Sequence, residues 1–419
     1  MKNCFSMTKR YTTREEMVKD LIPKDSTIAE IGVFTGEFTQ YMLDTLNPKQ
    51  LYGIDPYIST IGVMGSGDVN GHNMEFYELE LLNGFVKNRF LVHTTVSICR
   101  EKSEDFFNRI PDGHLDAVYI DGDHSLEAVK NDLEAARYAV KEGGWIMGHD
   151  YTLNSAKGNS EIKHFTKEAV DAFCSKYNLE INAFADDGIV SFAIRNINKY
   201  KISIVSYSDR EALYSETFMR FKIYSQMHNY KCALHNTLPP TDRHPSWNKI
   251  PVLRNEILSE KSNLDFVVWM DDDIYLTDME KPLSYFIDLY GFRKSKANIL
   301  VSSDIPGEIS SHLNCGIMFF KTTPDSMTIL DSAWKLGDMN PLSKNGYSWE
   351  QDIFNFLYKF DCRNEFMVVP QPNFQTCARV VGINLHNSWK VGHFAAHLQY
   401  GNLQLKLQML HLINKLLLT

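Results

Sequence analysis

Short apolar runs alternate with stretches of helical period along most of this chain. Thr27-Ile28-Ala29-Glu30-Ile31-Gly32 is the first run and stops at a glycine. Glu37 to Leu46 then has helical spacing, and Leu51-Tyr52-Gly53-Ile54-Asp55 is a second apolar run. Ala117 to Ile120, Trp145 to Met147 and Val190 to Ile194 are further strand candidates. Between them, Ser125 to Val140 places Leu126, Val129, Leu133, Ala136 and Val140 on one helical face. Strands alternating with helices predict a largely parallel sheet in an α/β unit.

The pattern restarts at Ile202-Ser203-Ile204-Val205, after the short polar segment Arg195 to Tyr200. Strands are expected again at Phe266 to Met270, Ile299 to Ser302 and Gly316 to Phe320. The expected division is therefore 1–198 and 199–419. Length agrees, because a single core rarely grows past about 300 residues and this chain has 419. Gly62 to Gly71 is glycine-rich and reads as a mobile loop that could serve as a lid.

Charge narrows the partners. A net charge of -9 argues against binding a nucleic-acid backbone, which calls for a basic face. Seven cysteines, odd in number and without CxxC spacing, fit neither a zinc site nor a disulfide framework. The opening residues lack the apolar core of a signal peptide, and no apolar stretch is long enough to span a bilayer. A cytoplasmic setting, bacterial or virus-encoded, is expected. The leucine-rich run from Leu403 to Leu418 is interrupted by Gln404, Lys406, Gln408, His411, Asn414 and Lys415. It reads as an amphipathic packing helix, with weak membrane-surface contact as the alternative.

Chemistry gathers at the ends of the apolar runs. Gly32 permits a tight strand-to-helix turn, and Gly36 permits close approach of a ligand to the helix that follows. Asp55 ends the next run, where a carboxylate can accept both ribose hydroxyls of a nucleoside. Phe34 stands where a dinucleotide fingerprint needs glycine, which disfavours a pyrophosphate ligand. Asp121-Gly122-Asp123-His124 and His149-Asp150 place carboxylates and imidazoles just past two strands. Such groups suit an oxygen-seeking divalent cation such as Mg²⁺, and His124 suits a general base. Asp123 could instead cap the helix after it.

The segments EIGVFTG, GIDPY, DAVYIDGDHSLEAVKNDL and EGGWIMGHDY resemble class I methyltransferases, near the macrolide-sugar O-methyltransferase and cephalosporin-hydroxylase group. The resemblance covers about residues 27 to 195 and implies a Rossmann-like fold with S-adenosylmethionine as cofactor. It implies Glu30, Gly32 and Gly36 at the cofactor pocket, Asp55 on its ribose, Asp121 and Asp150 on a metal, and His124 as base.

In the second half, the apolar strand Phe266 to Met270 runs into Asp271-Asp272-Asp273. Crowded carboxylates repel unless a cation resolves them. Alternation along a strand would turn Asp271 and Asp273 the same way, to hold Mn²⁺ or Mg²⁺ on a diphosphate. Together with WNKIPVLR, NCGIMFFK, WEQD, VVPQ and VGHFAAH, this order resembles the galactosyl/mannosyl/xylosyltransferase family of yeast Golgi and plant xyloglucan enzymes. That resemblance covers about residues 200 to 402 and implies a GT-A fold, a UDP- or GDP-sugar donor, a glycan or glycolipid acceptor, and retention of configuration. It implies Asp271, Asp273 and His397 as metal ligands, with Lys249 and Arg254 near the nucleotide. Asn314 and Gly316 would flank the donor sugar, and Gln351 and Asp352 would lie near its anomeric carbon. On the residues alone, Gln351 and Asp352 could simply start a helix, and His393 reads as structural.

The two resemblances give an α/β, two-domain, bifunctional glycan-modifying enzyme: sugar transfer plus O-methylation. Two other readings stay open. One is a glycosyltransferase with a non-catalytic methyltransferase-like binding module. The other is a small-molecule O-methyltransferase with a vestigial second domain.

Overall fold

The computed structural model describes residues 8–58, 76–151, 165–237, 242–259, 263–304, 312–340, 349–371, 375–377, 379–381, 384–386, 389–398 and 402–418. The glycine-rich stretch Gly62 to Gly71 lies outside them. The chain divides into two compact units, Met1–Lys199 and Tyr200–Thr419.

The first unit is built on one sheet. Its strands are β1 (Lys9–Tyr11), β2 (Thr27–Ile31), β3 (Gln50–Ile54), β4 (Val96–Cys99), β5 (Leu115–Ile120), β6 (Val140–Gly148), β7 (Ile181–Asp186) and β8 (Val190–Arg195). They lie in the order β1-β7-β8-β6-β5-β2-β3-β4. β2 pairs in parallel with both β3 and β5, so chain order reverses at β2. Only β8 runs antiparallel, between β6 and β7. This is a mixed, mostly parallel α/β sheet of Rossmann-like type, and its switch point lies at the carboxyl end of β2.

Helices cover both faces, so successive strand residues enter different cores. Ile28, Ala117 and Tyr119 pack with Met17, Phe38 and Met42 on one side. Ala29, Val118 and Ile120 pack with Phe106, Val129 and Leu133 on the other. That is why these strands read as continuous apolar runs rather than alternating ones. The helix expected over Ser125 to Val140 spans Leu126–Ala139, with the Ser125 hydroxyl accepting from the Ala128 N–H at its start. Val140 already belongs to β6, because its backbone turns extended (φ -81°, ψ 138°) at the end of the helix.

The strands of the second unit are β9 (Ile202–Tyr207), β10 (Lys231–His235), β11 (Phe266–Met270), β12 (Ile274–Leu276), β13 (Ile299–Ser303), β14 (Leu313–Lys321), β15 (Phe366–Val369), β16 (Thr376–Cys377), β17 (Arg379–Val381), β18 (Asn384–His386) and β19 (Ala395–His397), and six of them form its main sheet. The main order is β10-β9-β11-β14-β13-β15, with β14 antiparallel to both neighbours. A small sheet, β12-β19-β16, and the β17-β18 pair complete the unit. The C-terminal helix Leu403–Leu417 buries Met409, Leu410 and Ile413 against Leu213, Tyr275 and Leu398. Its apolar stripe is thus a packing face. Among the described residues, no helix is long and apolar enough to cross a membrane. Cys99, Cys174, Cys232, Cys315 and Cys362 are free thiols.

Candidate functional site

At the end of β2 the chain turns through Gly32 (φ 89°), Phe34 (φ 50°) and Gly36 (φ 77°). A Cβ at Gly32 would stand 2.0 Å from the Asp121 carbonyl oxygen, so only glycine admits this contact between the turn and the end of β5. Gly36 has another duty. A Cβ there would stand 2.8 Å from the Phe90 ring, so the close approach it permits among the described residues is helix packing.

Asp55 holds the turn from below. Its carboxylate accepts the N–H groups of Val33 at 3.2 Å, Phe34 at 3.0 Å and Tyr57 at 2.9 Å. Burial pushes its pKa up, and these three donors pull it back. Glu30 is 2 % exposed and accepts the Thr39 hydroxyl. Burial is the main cause that pushes its carboxyl up to about 8.

Asp121, His124 and Asp150 come together just beyond β5 and β6. Each can offer one ligand atom, and those atoms all lie within 4.8 Å of one another. His124 Nε2 is 3.4 Å from Asp150 Oδ2. Asp150 adopts φ 58°, a left-handed conformation costly for a non-glycine residue, and such strain clusters at functional sites. His149 does not complete the ligand set; its Nδ1 sits 3.6 Å from Asp121 and 3.2 Å from Asp150. Burial opposes its charge, yet hydrogen bonds to both carboxylates push the imidazole up to about 9. Asp123 accepts the Ser125 N–H at 2.8 Å and so leads into the helix rather than the cluster.

Arg14 escaped the sequence reading. It reaches Asp121 at 3.2 Å across 107 positions and lies 4.5 Å over the Phe38 ring. No local motif marks it.

In the second unit, Asp271, Asp273 and His397 likewise offer ligand atoms within 4.8 Å of one another. The expected cause was strand alternation, but β11 stops at Met270. The three acids lie in the turn to β12, which is closed by Ile274 N–H on the Asp271 carbonyl at 3.0 Å. His397 arrives from β19, which pairs with β12 so that Ile274 faces His397.

Two of the counter-charges, Lys249 and Lys406, are buried. Lys249 is 1 % exposed and sits 3.1 Å from Asp271 and 2.6 Å from Glu350. Burial opposes its charge, but those carboxylates raise its pKa. Burial pushes Asp271 up to about 6 even beside that ammonium. Asp273 goes the other way: burial opposes ionisation, but His397 and Lys406 hold it well below the usual carboxylate range. Lys406 donates to Asp273 from the C-terminal helix, and Arg210 and Ser208 donate to Asp272. Arg210, Glu350 and Lys406 were not singled out as site residues, although Glu350 lies in the WEQD run and Lys406 interrupts the leucine run.

The remaining expected residues divide. Asn314 is buried, donates to Asp304 at 3.0 Å and accepts the Gly316 N–H at 3.2 Å. Gly316 borders His397, whose ring lies 2.5 Å from the position of a Cβ. Gln351 accepts the Cys315 N–H at 3.1 Å, one residue along β14. Asp352 accepts the Trp349 N–H at 3.1 Å and so helps to start the helix Glu350–Phe360. Arg254 pairs with Asp331 at 2.7 Å rather than with any member of the acidic cluster. His393 is held by Thr376 at 3.0 Å, a structural arrangement.

Residues 29–151 match the family described as a methyltransferase domain. The first unit carries a methyltransferase domain. The matched span of that domain contains the glycine turn, Asp55 and the cluster of Asp121, His124 and Asp150. An uncharacterized protein of Acanthamoeba polyphaga mimivirus is 29% identical over 143 residues, which are 33% of this chain and 57% of that protein. Only part of that relative's length is therefore matched. A glycosyltransferase involved in the glycosylation of the major capsid of PBCV-1 is 15% identical, with 51% of this chain and 99% of that chain covered at a TM-score of 0.40. Aeropyrum pernix fibrillarin, solved with natively bound S-adenosyl-L-methionine, is 14% identical, with 43% and 72% covered at a TM-score of 0.30.

Proposed function

We propose that the first unit is an S-adenosylmethionine-dependent O-methyltransferase and the second a metal-dependent glycosyltransferase of GT-A type, so that the chain both extends and methylates glycans. The observation that carries this is the pair of carboxylate–histidine clusters, one in each unit, each with ligand atoms within 4.8 Å.

In the first unit, the turn at Gly32 and the acids Glu30 and Asp55 would receive the nucleoside of the cofactor. The donor set of Asp121 and Asp150 fits a hard divalent cation, which when bound would acidify a sugar hydroxyl. His124, 3.4 Å from Asp150, is placed to take the proton of that hydroxyl. Arg14 and His149 keep the two carboxylates oriented.

In the second unit, Asp271, Asp273 and His397 fit Mn²⁺ or Mg²⁺. Their ligand atoms lie within 4.8 Å of one another, and a set of two carboxylates and an imidazole suits either ion. When bound, the cation would offset charge on the diphosphate of a UDP- or GDP-sugar. Lys249 holds Asp271 in place, and Gln351 fixes the strand segment beside it.

Titration of the full chain with S-adenosylmethionine, and a screen of UDP-, GDP- and dTDP-sugars for Mn²⁺- or Mg²⁺-dependent hydrolysis, test the two halves separately. Asp271→Ala is expected to abolish hydrolysis and leave cofactor binding intact. No heat on titration, or no hydrolysis with any donor, overturns the corresponding half.

A further inference from the structure

Gln375 precedes β16 and is fully buried. Its amide nitrogen donates to the Ser302 hydroxyl at 2.8 Å and to the Asn314 carbonyl at 2.9 Å. A carbonyl can only accept, so the group facing Asn314 must be the NH₂. That fixes the amide, and Gln375 Oε1 must point the other way. It points at the α-carbon face of Gly316: a Cβ there would lie 2.6 Å from Oε1 and 2.8 Å from His397 Nδ1. Neither Oε1 nor Nδ1 has a hydrogen-bond partner among the described residues, although Gln375 is 0 % and His397 3 % exposed. One orphan is an obligate acceptor and the other a ring nitrogen able to donate, and both border the same small space. On its other side the His397 ring presents Nε2 to Asp273 Oδ1 at 3.3 Å.

We propose that Gln375 is a positioning residue for His397: its Oε1 accepts the His397 Nδ1–H, which fixes the ring and leaves Nε2 to face the acidic cluster. This rests on the cation reading of Asp271, Asp273 and His397 given above. A ligating histidine is set by what its other nitrogen does, since that bond selects the tautomer and the ring orientation. Gln375 is itself held by β13 and β14 through Ser302 and Asn314, so His397 is referenced to the main sheet although its own strand belongs to the small one. A methyl group at Gly316 would crowd both atoms, so glycine keeps open the space that they border.

The test uses the full chain with Mn²⁺ as probe. Gln375→Leu is expected to weaken Mn²⁺ binding by roughly tenfold to a hundredfold in calorimetric titration, the usual cost of losing an outer partner of a ligating histidine. In the metal-free protein with ¹⁵N-labelled histidine, Nδ1 of His397, assigned with a His397→Gln variant, is expected to carry a proton. A folded Gln375→Leu variant that binds Mn²⁺ like the parent overturns the proposal, and so does a bare Nδ1. If the parent takes up no Mn²⁺, the cation reading falls, and the protonation of Nδ1 then decides the Gln375 bond by itself. Should Gln375→Leu fail to fold, the nitrogen signal carries the decision.

Discussion

The two acidic clusters solve the same electrostatic problem in different ways. In the first unit, Asp121 and Asp150 come from the ends of two adjacent parallel strands, and their neutralising groups are the partly exposed Arg14 and the imidazole of His149. In the second, the acids lie in one turn while the partners come from afar: His397 from a separate small sheet, Lys406 from the C-terminal helix, and Lys249 from the start of the helix Lys249–Ile257. The cations differ in burial: Arg14 is a quarter exposed, whereas Lys249 and Lys406 are buried. Removal of one member should therefore cost far more in the second unit than in the first, because an uncompensated buried charge has no solvent to fall back on.

The largest expected effect, however, is steric. Gly32→Ala would place a methyl group 2.0 Å from a backbone carbonyl at a φ of 89°, and no side chain can yield there. A loss on the order of 3 kcal/mol in the first unit, with loss of S-adenosylmethionine binding, is expected from denaturant unfolding and titration. A variant as stable as the parent would show that the turn and β5 are not locked together.

Next comes Asp273→Asn, which leaves the Lys406 ammonium and His397 without their buried counter-charge. A cost of about 3 kcal/mol is expected, read from the midpoint of the unfolding transition of the second unit. Equal costs for Asp121→Asn and Asp273→Asn would erase the contrast between the clusters.

Arg14→Met removes a charge-assisted bond at a site a quarter exposed. Methyl transfer should fall roughly tenfold, equivalent to about 1.5 kcal/mol, with little change in cofactor affinity. A large loss of cofactor affinity instead would move Arg14 from Asp121 to the nucleoside.

The smallest effect concerns pH. The His149 imidazole is raised from 6.5 to about 9 in the folded protein, so its contribution is fully present below pH 6.5 and fades as pH rises toward 9. The melting midpoint of the first unit should fall over that window, and His149→Gln should flatten the slope. A midpoint that rises with pH would contradict the pairing with Asp121 and Asp150.

Much of the first site was legible in the sequence because its parts are local. Asp121 and His124 follow one apolar run, Asp150 follows another, and parallel strands present their carboxyl ends to one side. The Asp271 turn was legible for a similar reason, although its acids converge through the turn and β19 rather than through alternation along β11. Gly36 was expected to admit a ligand and Gly316 to flank a donor sugar; the groups that crowd them are Phe90 at Gly36 and His397 and Gln375 at Gly316, all remote in sequence.

Periodicity and short-range order thus determined the two α/β units, the strand ends that carry carboxylates, and the glycine turn. These follow from backbone sterics and from burial on two sheet faces, both written into neighbouring residues. Tertiary structure alone decided which cations answer those carboxylates. Arg14, Lys406 and Gln375 reach their partners across long stretches of chain, and a charge or amide on its own carries no mark of the group it will meet once packing excludes water.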